Sequence, residues 1–230
     1  MSDHLKRIAA PRTWSIARKS NVFVTRPKPG KKLELSLPLS FVLKELIGFC
    51  GTTRQVKAVL ESNQIMVDGA IRRDHRYPVG LYEVISFIGD KKSYRIALSS
   101  KGKLVALAID ESEKSQSLFK ISSKQMSGKE TFTLGLLNGR NVVVSAKEAT
   151  KISVGDTVVL DEKGSISKHL PLVKGTFVQF IGGRHSGAQG LVENTDGNTI
   201  TVLLGDQPTE TLKQYAFVVG EKKPLVKISE

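Results

Sequence analysis

The sequence predicts a mostly β chain of several small domains, in the α+β class, with few helices and those early in the chain. Three observations carry this. Short apolar runs recur between turn signals such as Asp68-Gly69, Lys101-Gly102 and Asp196-Gly197, which is how hairpin strands read in sequence. Helical periodicity is concentrated between residues 41 and 63. Positive charge is crowded into the first 32 residues, which hold nine Lys and Arg against Asp3 alone, or +8 of a net +13. Composition and turn spacing divide the chain into a basic arm (1–37), a small αβ domain (38–89), a central β domain (90–171) and a small C-terminal β-barrel with a short basic tail (172–230).

The arm comes first. Lys6, Arg7, Arg12, Arg18 and Lys19 surround Trp14, and Arg26-Pro27-Lys28-Pro29-Gly30-Lys31-Lys32 follows. Pro27 and Pro29 forbid a continuous helix and favour an extended course. Apolar residues are too few for a core of their own, so the arm is expected to order along a polyanion, each neutralised phosphate releasing counterions. Trp14 has two readings, stacking on a base or plugging the arm onto a neighbouring domain, and packing is the commoner role of a lone tryptophan. A solvated tail fits poorly, because so dense a cationic run carries almost no acid. A membrane-surface arm would need an amphipathic helix, which is missing.

In the αβ domain, Phe41, Val42, Leu46, Ile47 and Phe49 predict a helix ending near Gly48 or Gly51. Thr52 or Thr53 then caps a second helix, because a hydroxyl there accepts from an otherwise unpaired backbone N–H. Val56, Val59 and Leu60 share its inner face, Arg54 and Lys57 are its cations, and Asn63 suits the left-handed position that ends a helix. Residues 64–67 turn at Asp68-Gly69 into a basic return, Arg72, Arg73, His75 and Arg76. Tyr77-Pro78-Val79-Gly80 leads to a last apolar strand at 81–88.

In the central segment, strands are expected at 93–98 and 104–109 about Lys101-Gly102, and at 131–137 and 141–144 about Asn138-Gly139-Arg140. Another is expected at 158–160, and a Lys163-Gly164 turn leads into Ile166. Such spacing predicts a small barrel or curled sheet, with residues 110–117 as a loop or one helical turn. In the last segment, strands at 174–181, 191–193, 200–204 and 215–219 are expected to be four strands of a five-stranded barrel. The loop Gly182-Gly183-Arg184-His185-Ser186-Gly187 carries cations at its tip, with Lys174 at the entry.

Several function classes are disfavoured. No apolar stretch approaches the ~18 residues of a membrane span, and no signal peptide opens the chain. Cys50 lies in an apolar run as core filler, and a reducing cytoplasm is the simplest setting for a lone cysteine. The four histidines (4, 75, 169 and 185) have no partners at metal spacing. No Walker loop and no Gly-x-Ser-x-Gly element exists, and no nucleophile stands beside a base. No metal, cofactor or small-molecule substrate is expected, and no enzymatic activity.

Helix, helix, then strands with Val67-Asp68-Gly69 resemble the small helix-helix-strand RNA-binding domain of a bacterial small-subunit ribosomal protein, pseudouridine synthases and tyrosyl-tRNA synthetases. Thr52-Thr53 departs from that domain's usual Ser-Arg opening, and Arg54 comes one residue late. The loop at 182–190 between apolar strands resembles the KOW motif of ribosomal proteins and transcription elongation factors. HLKRIAAPRTW, VFVTRPKPGKK, LPL and VDGAIRRDHRYPVGLYEVISF, in that order and spacing, resemble the archaeal and eukaryotic small-subunit ribosomal protein four family, e-type. That resemblance implies a structural ribosomal component in the cytoplasm, with small-subunit rRNA and neighbouring ribosomal proteins as partners. Lacking the long basic tail of eukaryotic members, it resembles the archaeal type. The RNA-binding residues implied are Lys6, Arg7, Arg12, Trp14, Arg18, Lys19, Arg26, Lys28, Lys31, Lys32, Arg54, Lys57, Arg72, Arg73, Arg76, Lys174, Arg184 and His185. An RNA-modifying enzyme remains a second class, but needs a larger catalytic domain with an active-site aspartate. A KOW-type transcription or translation factor is a third.

Overall fold

A computed structural model describes residues 4–90, 92–114, 116–128, 130–161, 164–205 and 207–228. It divides into two compact units, Met1–Leu98 with Lys103–Ser115, and Ser99–Gly102 with Gln116–Glu230.

The first unit opens with a two-residue ladder of β1 (Leu5–Lys6) and β2 (Phe23–Val24). Strand β3 (Ser36–Pro38) runs into α1 (Leu39–Phe41), which widens to a π turn over Val42–Leu46 and stops at Gly48, whose φ is +71°. Helix α2 (Thr53–Glu61) follows, then β4 (Ile65–Val67), β5 (Ala70–Ile71), β6 (Pro78–Gly80), β7 (Val84–Phe87), β8 (Ser93–Leu98) and β9 (Leu104–Ile109). Strand β3 pairs with β6, and the main sheet is ordered β5-β4-β7-β8-β9. This sheet crosses the boundary expected between residues 89 and 90. Every residue of β7 is buried, and the strand is hydrogen-bonded on both sides, to β4 and to β8.

The arm does not stand free: Trp14 packs it onto the rest of the first unit, in the packing role of its two sequence readings. Its side chain is fully buried, 5.8 Å from the Phe41 ring between centroids, and its indole N–H donates to the Leu33 carbonyl at 3.2 Å. Its backbone bridges Leu104 of β9 in parallel. A buried tryptophan removes roughly 150–250 Å² from water, enough to anchor a segment that has few other apolar residues.

The second unit begins with β10 (Ser117–Met126), β11 (Thr131–Leu136), β12 (Asn141–Ser145), α3 (Ala146–Lys151), β13 (Thr157–Leu160) and β14 (Ile166–Leu170), in a sheet ordered β12-β11-β10-β13-β14. Residues 117–120 of β10 pair with β13, and residues 121–126 pair with β11 across a register shift. The sheet therefore bends at the middle of its longest strand, over a core that includes Phe119, Ile121, Leu134, Val144 and Val158. Lys163 of the expected Lys163-Gly164 turn lies outside the described residues.

Next come β15 (Phe177–Phe180), β16 (Gln189–Asp196), β17 (Thr199–Leu204), β18 (Gln207–Leu212) and β19 (Ala216–Gly220). They form an antiparallel sheet ordered β18-β17-β16-β15-β19. Among the described residues β18 and β19 are its two ends, and five strands stand in the segment where the sequence predicts a five-stranded barrel. Strand β18 went unread in sequence because Gln-Pro-Thr-Glu-Thr lacks apolar alternation; as an edge strand it tolerates Pro208. Lys120 of β10 is buried and its ammonium donates to the carbonyls of Lys213 (3.0 Å), Gln214 (2.8 Å) and Ala216. It ties the two sheets of this unit together by satisfying the backbone ahead of β19.

Candidate nucleic-acid interface

Helix α2 is set by a capping box. Thr52 Oγ1 accepts from the Gln55 N–H at 3.3 Å, and Gln55 Oε1 accepts from the Thr52 N–H at 3.0 Å. Val56 and Leu60 are buried, which turns Arg54 and Lys57 outward, one helical turn apart and both exposed. Asn63 ends the helix at φ 59°, and Asp68 with Gly69 makes the tight turn at φ 46° and 74°. Asn63 also has a second task, its Oδ1 accepting from Arg73 Nε at 2.7 Å.

The return from β5 to β6 carries Arg72, Arg73, His75 and Arg76, and the 26–31 stretch of the arm is clamped to it. The Lys28 N–H donates to the Arg76 carbonyl at 2.9 Å, and Arg76 Nε donates to the Arg26 carbonyl at 3.2 Å. The Lys28 ammonium pairs with Asp74, whose Oδ1 accepts from the Arg76 N–H at 2.8 Å. Tyr77 is faced by two cations, the Arg72 guanidinium at 4.5 Å and the Lys31 ammonium at 5.0 Å from the ring centre. Three separate segments thus place Arg26, Lys28, Lys57, Arg72, Arg73 and Arg76 around one loop.

The charge density registers on the titrating groups. Burial, then the neighbouring Lys57 charge, holds His75 below its ordinary value, against the opposing pull of Asp74. Burial alone would raise the Asp74 carboxyl, but the hydrogen bond from Lys28 and that from the Arg76 amide, with the Lys28 and His75 charges, bring it below its usual range. Both shifts favour a return loop that is neutral at His75 and ionised at Asp74 near pH 7.

Elsewhere the sequence-predicted cations separate into two kinds. Arg7 is buried: its guanidinium pairs with Glu45 at 2.6 Å and donates to the Ala17 carbonyl and Ser20 Oγ. Arg18 donates to the carbonyls of Ile8, Ala10 and Pro11 at 2.8–3.0 Å. Lys31 pairs with Glu83, a carboxylate with no exposed surface. These three hold the arm in place. Trp14 is a correction: sealed in the core, it has no face to offer a base. Lys6, Arg12, Lys19 and Lys32 are exposed along the arm.

In the second unit the loop between β15 and β16 is braced from inside. Gln179 is buried and its Nε2 donates to the Gly187 carbonyl at 3.3 Å, while the Gly187 N–H donates to the Phe180 carbonyl at 2.8 Å. A Cβ at Gly182 would lie 2.8 Å from the Tyr215 ring, so only glycine lets that ring pack on the loop. Arg184 and His185 are exposed on it, as is Lys174 ahead of β15. Among the described residues no group of three or more His, Cys, Asp or Glu is placed to hold a metal ion. Among the described residues no helix is long and apolar enough to cross a membrane.

Sequence comparison adds the relatives. The sequence model of the RS4NT (NUC023) domain matches residues 1–30, and that of Ribosomal family S4e matches residues 90–165. A small ribosomal subunit protein eS4 of Methanococcus aeolicus is 34% identical over 97% of this chain and 96% of its own. This chain belongs to Ribosomal family S4e. The eS4 of Archaeoglobus fulgidus is 31% identical over 97% of both chains. The crystal structure of the 30S ribosomal protein S4e from Thermoplasma acidophilum shares the fold, with a TM-score of 0.66 at 23% identity, over 81% of this chain and 95% of that one.

Within this S4e chain, two members of the loop escaped sequence reasoning as site residues. His75 and Tyr77 were read as part of a basic return and a turn, yet both stand among its cations. The signal was present in Arg-Asp-His-Arg-Tyr, where an aromatic is interleaved with charge.

Proposed function

We propose that the protein is a structural constituent of the small ribosomal subunit, binding rRNA and supporting its folding and assembly in translation. The reading rests most on the convergence of α2, the β5–β6 return and the arm's 26–31 stretch into one cationic face. Such a face matches the phosphate backbone, whose contacts fix register and orientation rather than read sequence. It is a structural protein and not an enzyme.

In finer detail, Arg54, Lys57, Arg72, Arg73 and Arg76 meet rRNA phosphates, with Arg26 and Lys28 extending the track and Lys6, Arg12, Lys19 and Lys32 continuing it along the arm. Arg7, Arg18 and Lys31 serve binding through the folded arm. In the second unit the 182–190 loop acts as a KOW-type element, with Lys174, Arg184 and His185 as its phosphate contacts. The arm and αβ domain act together with β8 and β9, and the remainder of the central domain with the C-terminal sheet, as rRNA- or protein-facing modules. Neighbouring ribosomal proteins are the other partners, in the cytoplasm.

Sucrose-gradient sedimentation of a native lysate, with the protein followed by immunoblot, tests this. Stoichiometric co-migration with the small subunit that survives moderate salt is expected. Recovery only at the top of the gradient would contradict it.

A further inference from the structure

In the second unit, β12 and β14 are the two ends of the bent sheet, and a groove of about 610 Å³ opens beside them. Its lining includes Val142, Val143 and Val144 of β12, Ile152, and Ile166 and His169 of β14. Val143 has 66% of its surface exposed.

The hydrogen-bond alternation shows which backbone groups face the groove. The Leu136 N–H donates to the Arg140 carbonyl and the Ala146 N–H to the Glu130 carbonyl, both at 2.9 Å. Stepping by two along the β11–β12 register, Val142 and Val144 exchange hydrogen bonds with β11. The N–H and C=O groups of Asn141 and Val143 point to the open edge.

Several other edges are guarded. Strand β18 carries Pro208 and Glu210, β14 carries Lys168, and the start of β9 is bridged by Trp14. Strand β12 is Asn-Val-Val-Val-Ser, with no charge and no proline. An unguarded edge of this composition is a template for another strand. The charged side chains that line the groove are one of each sign, Lys151 and Glu148.

We propose that this groove binds an extended segment of a partner protein, which adds to β12 as a sixth strand. The segment alternates apolar side chains, which fill the valine-lined groove, with residues facing out. Backbone pairing supplies the affinity and the apolar positions supply the selection. The inference is independent of rRNA binding, since it uses none of the proposed RNA contacts.

The test uses the full chain and a fluorescein-labelled peptide of alternating valine and threonine with glutamates at both ends, followed by anisotropy. Saturable binding is expected. Methylating the peptide nitrogens at every valine, or at every threonine, separates the two faces of the backbone. One of these two peptides should bind about tenfold more weakly than the parent, and the other like the parent. Val143→Pro, which removes an N–H facing the groove, should weaken the parent peptide comparably. Failure of the parent to bind, or equal binding of both methylated peptides, would overturn the proposal. So would displacement of the peptide by self-association of the chain, or a polyuridine oligonucleotide occupying the groove in its place.

Discussion

The arm and the β15–β16 loop are both cationic segments with few apolar side chains, yet they are held in opposite ways. The arm is held by its own side chains: Trp14 is buried, and Arg7, Arg18 and Lys31 have carboxylate or carbonyl partners. The loop is held by its glycines, with Tyr215 and Gln179 packed beneath, and its cations Arg184 and His185 stay exposed. Counting basic residues therefore does not count RNA contacts. A cation's share in binding depends on whether the fold already occupies it.

That contrast predicts a graded set of effects. Trp14→Ala should be the most damaging, costing about 3–5 kcal/mol as the cavity and lost burial add, read as a lowered urea midpoint. A wild-type midpoint would mean the arm is not part of the core. Lys31→Ala should cost nearly as much, about 3 kcal/mol, because it breaks a buried ion pair with Glu83; restoring the pair with Arg should recover part of it. Arg7→Ala should cost on the order of 2 kcal/mol, since Glu45 is partly solvated. Arg184→Ala with His185→Ala should shift stability by less than about 0.5 kcal/mol while weakening rRNA binding. A large loss of stability there would erase the distinction between arm and loop.

The smallest effect concerns His75. Its neutral form is favoured in the fold, so it titrates below its ordinary 6.5. The stability this contributes is complete above that pH and is lost as pH falls through 6.5 toward the folded value. An NMR titration should show the lowered midpoint, an upward move in Lys57→Ala, and an upward move when RNA phosphate approaches. A midpoint indifferent to Lys57 would break the link between the helix and the return loop.

Local chemistry made much of this fold readable. The Thr52 cap, the Asn63 terminus and the Asp68-Gly69 turn each follow from one residue's conformational preference, and the structure has them. What stayed hidden depends on distant partners. Strand β10 is hidden because its buried half, residues 117–121, runs on into a polar half, Ser-Ser-Lys-Gln, and the two halves pair with different strands. The arm's packing is legible at Trp14 alone, whereas the ion pairs Arg7–Glu45 and Lys31–Glu83 that hold it show only in the fold. The site was half legible: the cations of α2 and the return are adjacent in sequence, whereas the 26–31 clamp spans about 50 residues and shows only in the fold.

The most direct measurement is the salt dependence of binding to small-subunit rRNA for the wild type and for Arg54→Ala, Lys57→Ala and Arg73→Ala combined. These three side chains are exposed, so the variant should fold normally. The slope of log K against log salt should fall by roughly two to three, at about 0.7–0.9 per lost phosphate contact. An unchanged slope would show that the cationic face of the first unit does not touch RNA, and the account would fail at its centre.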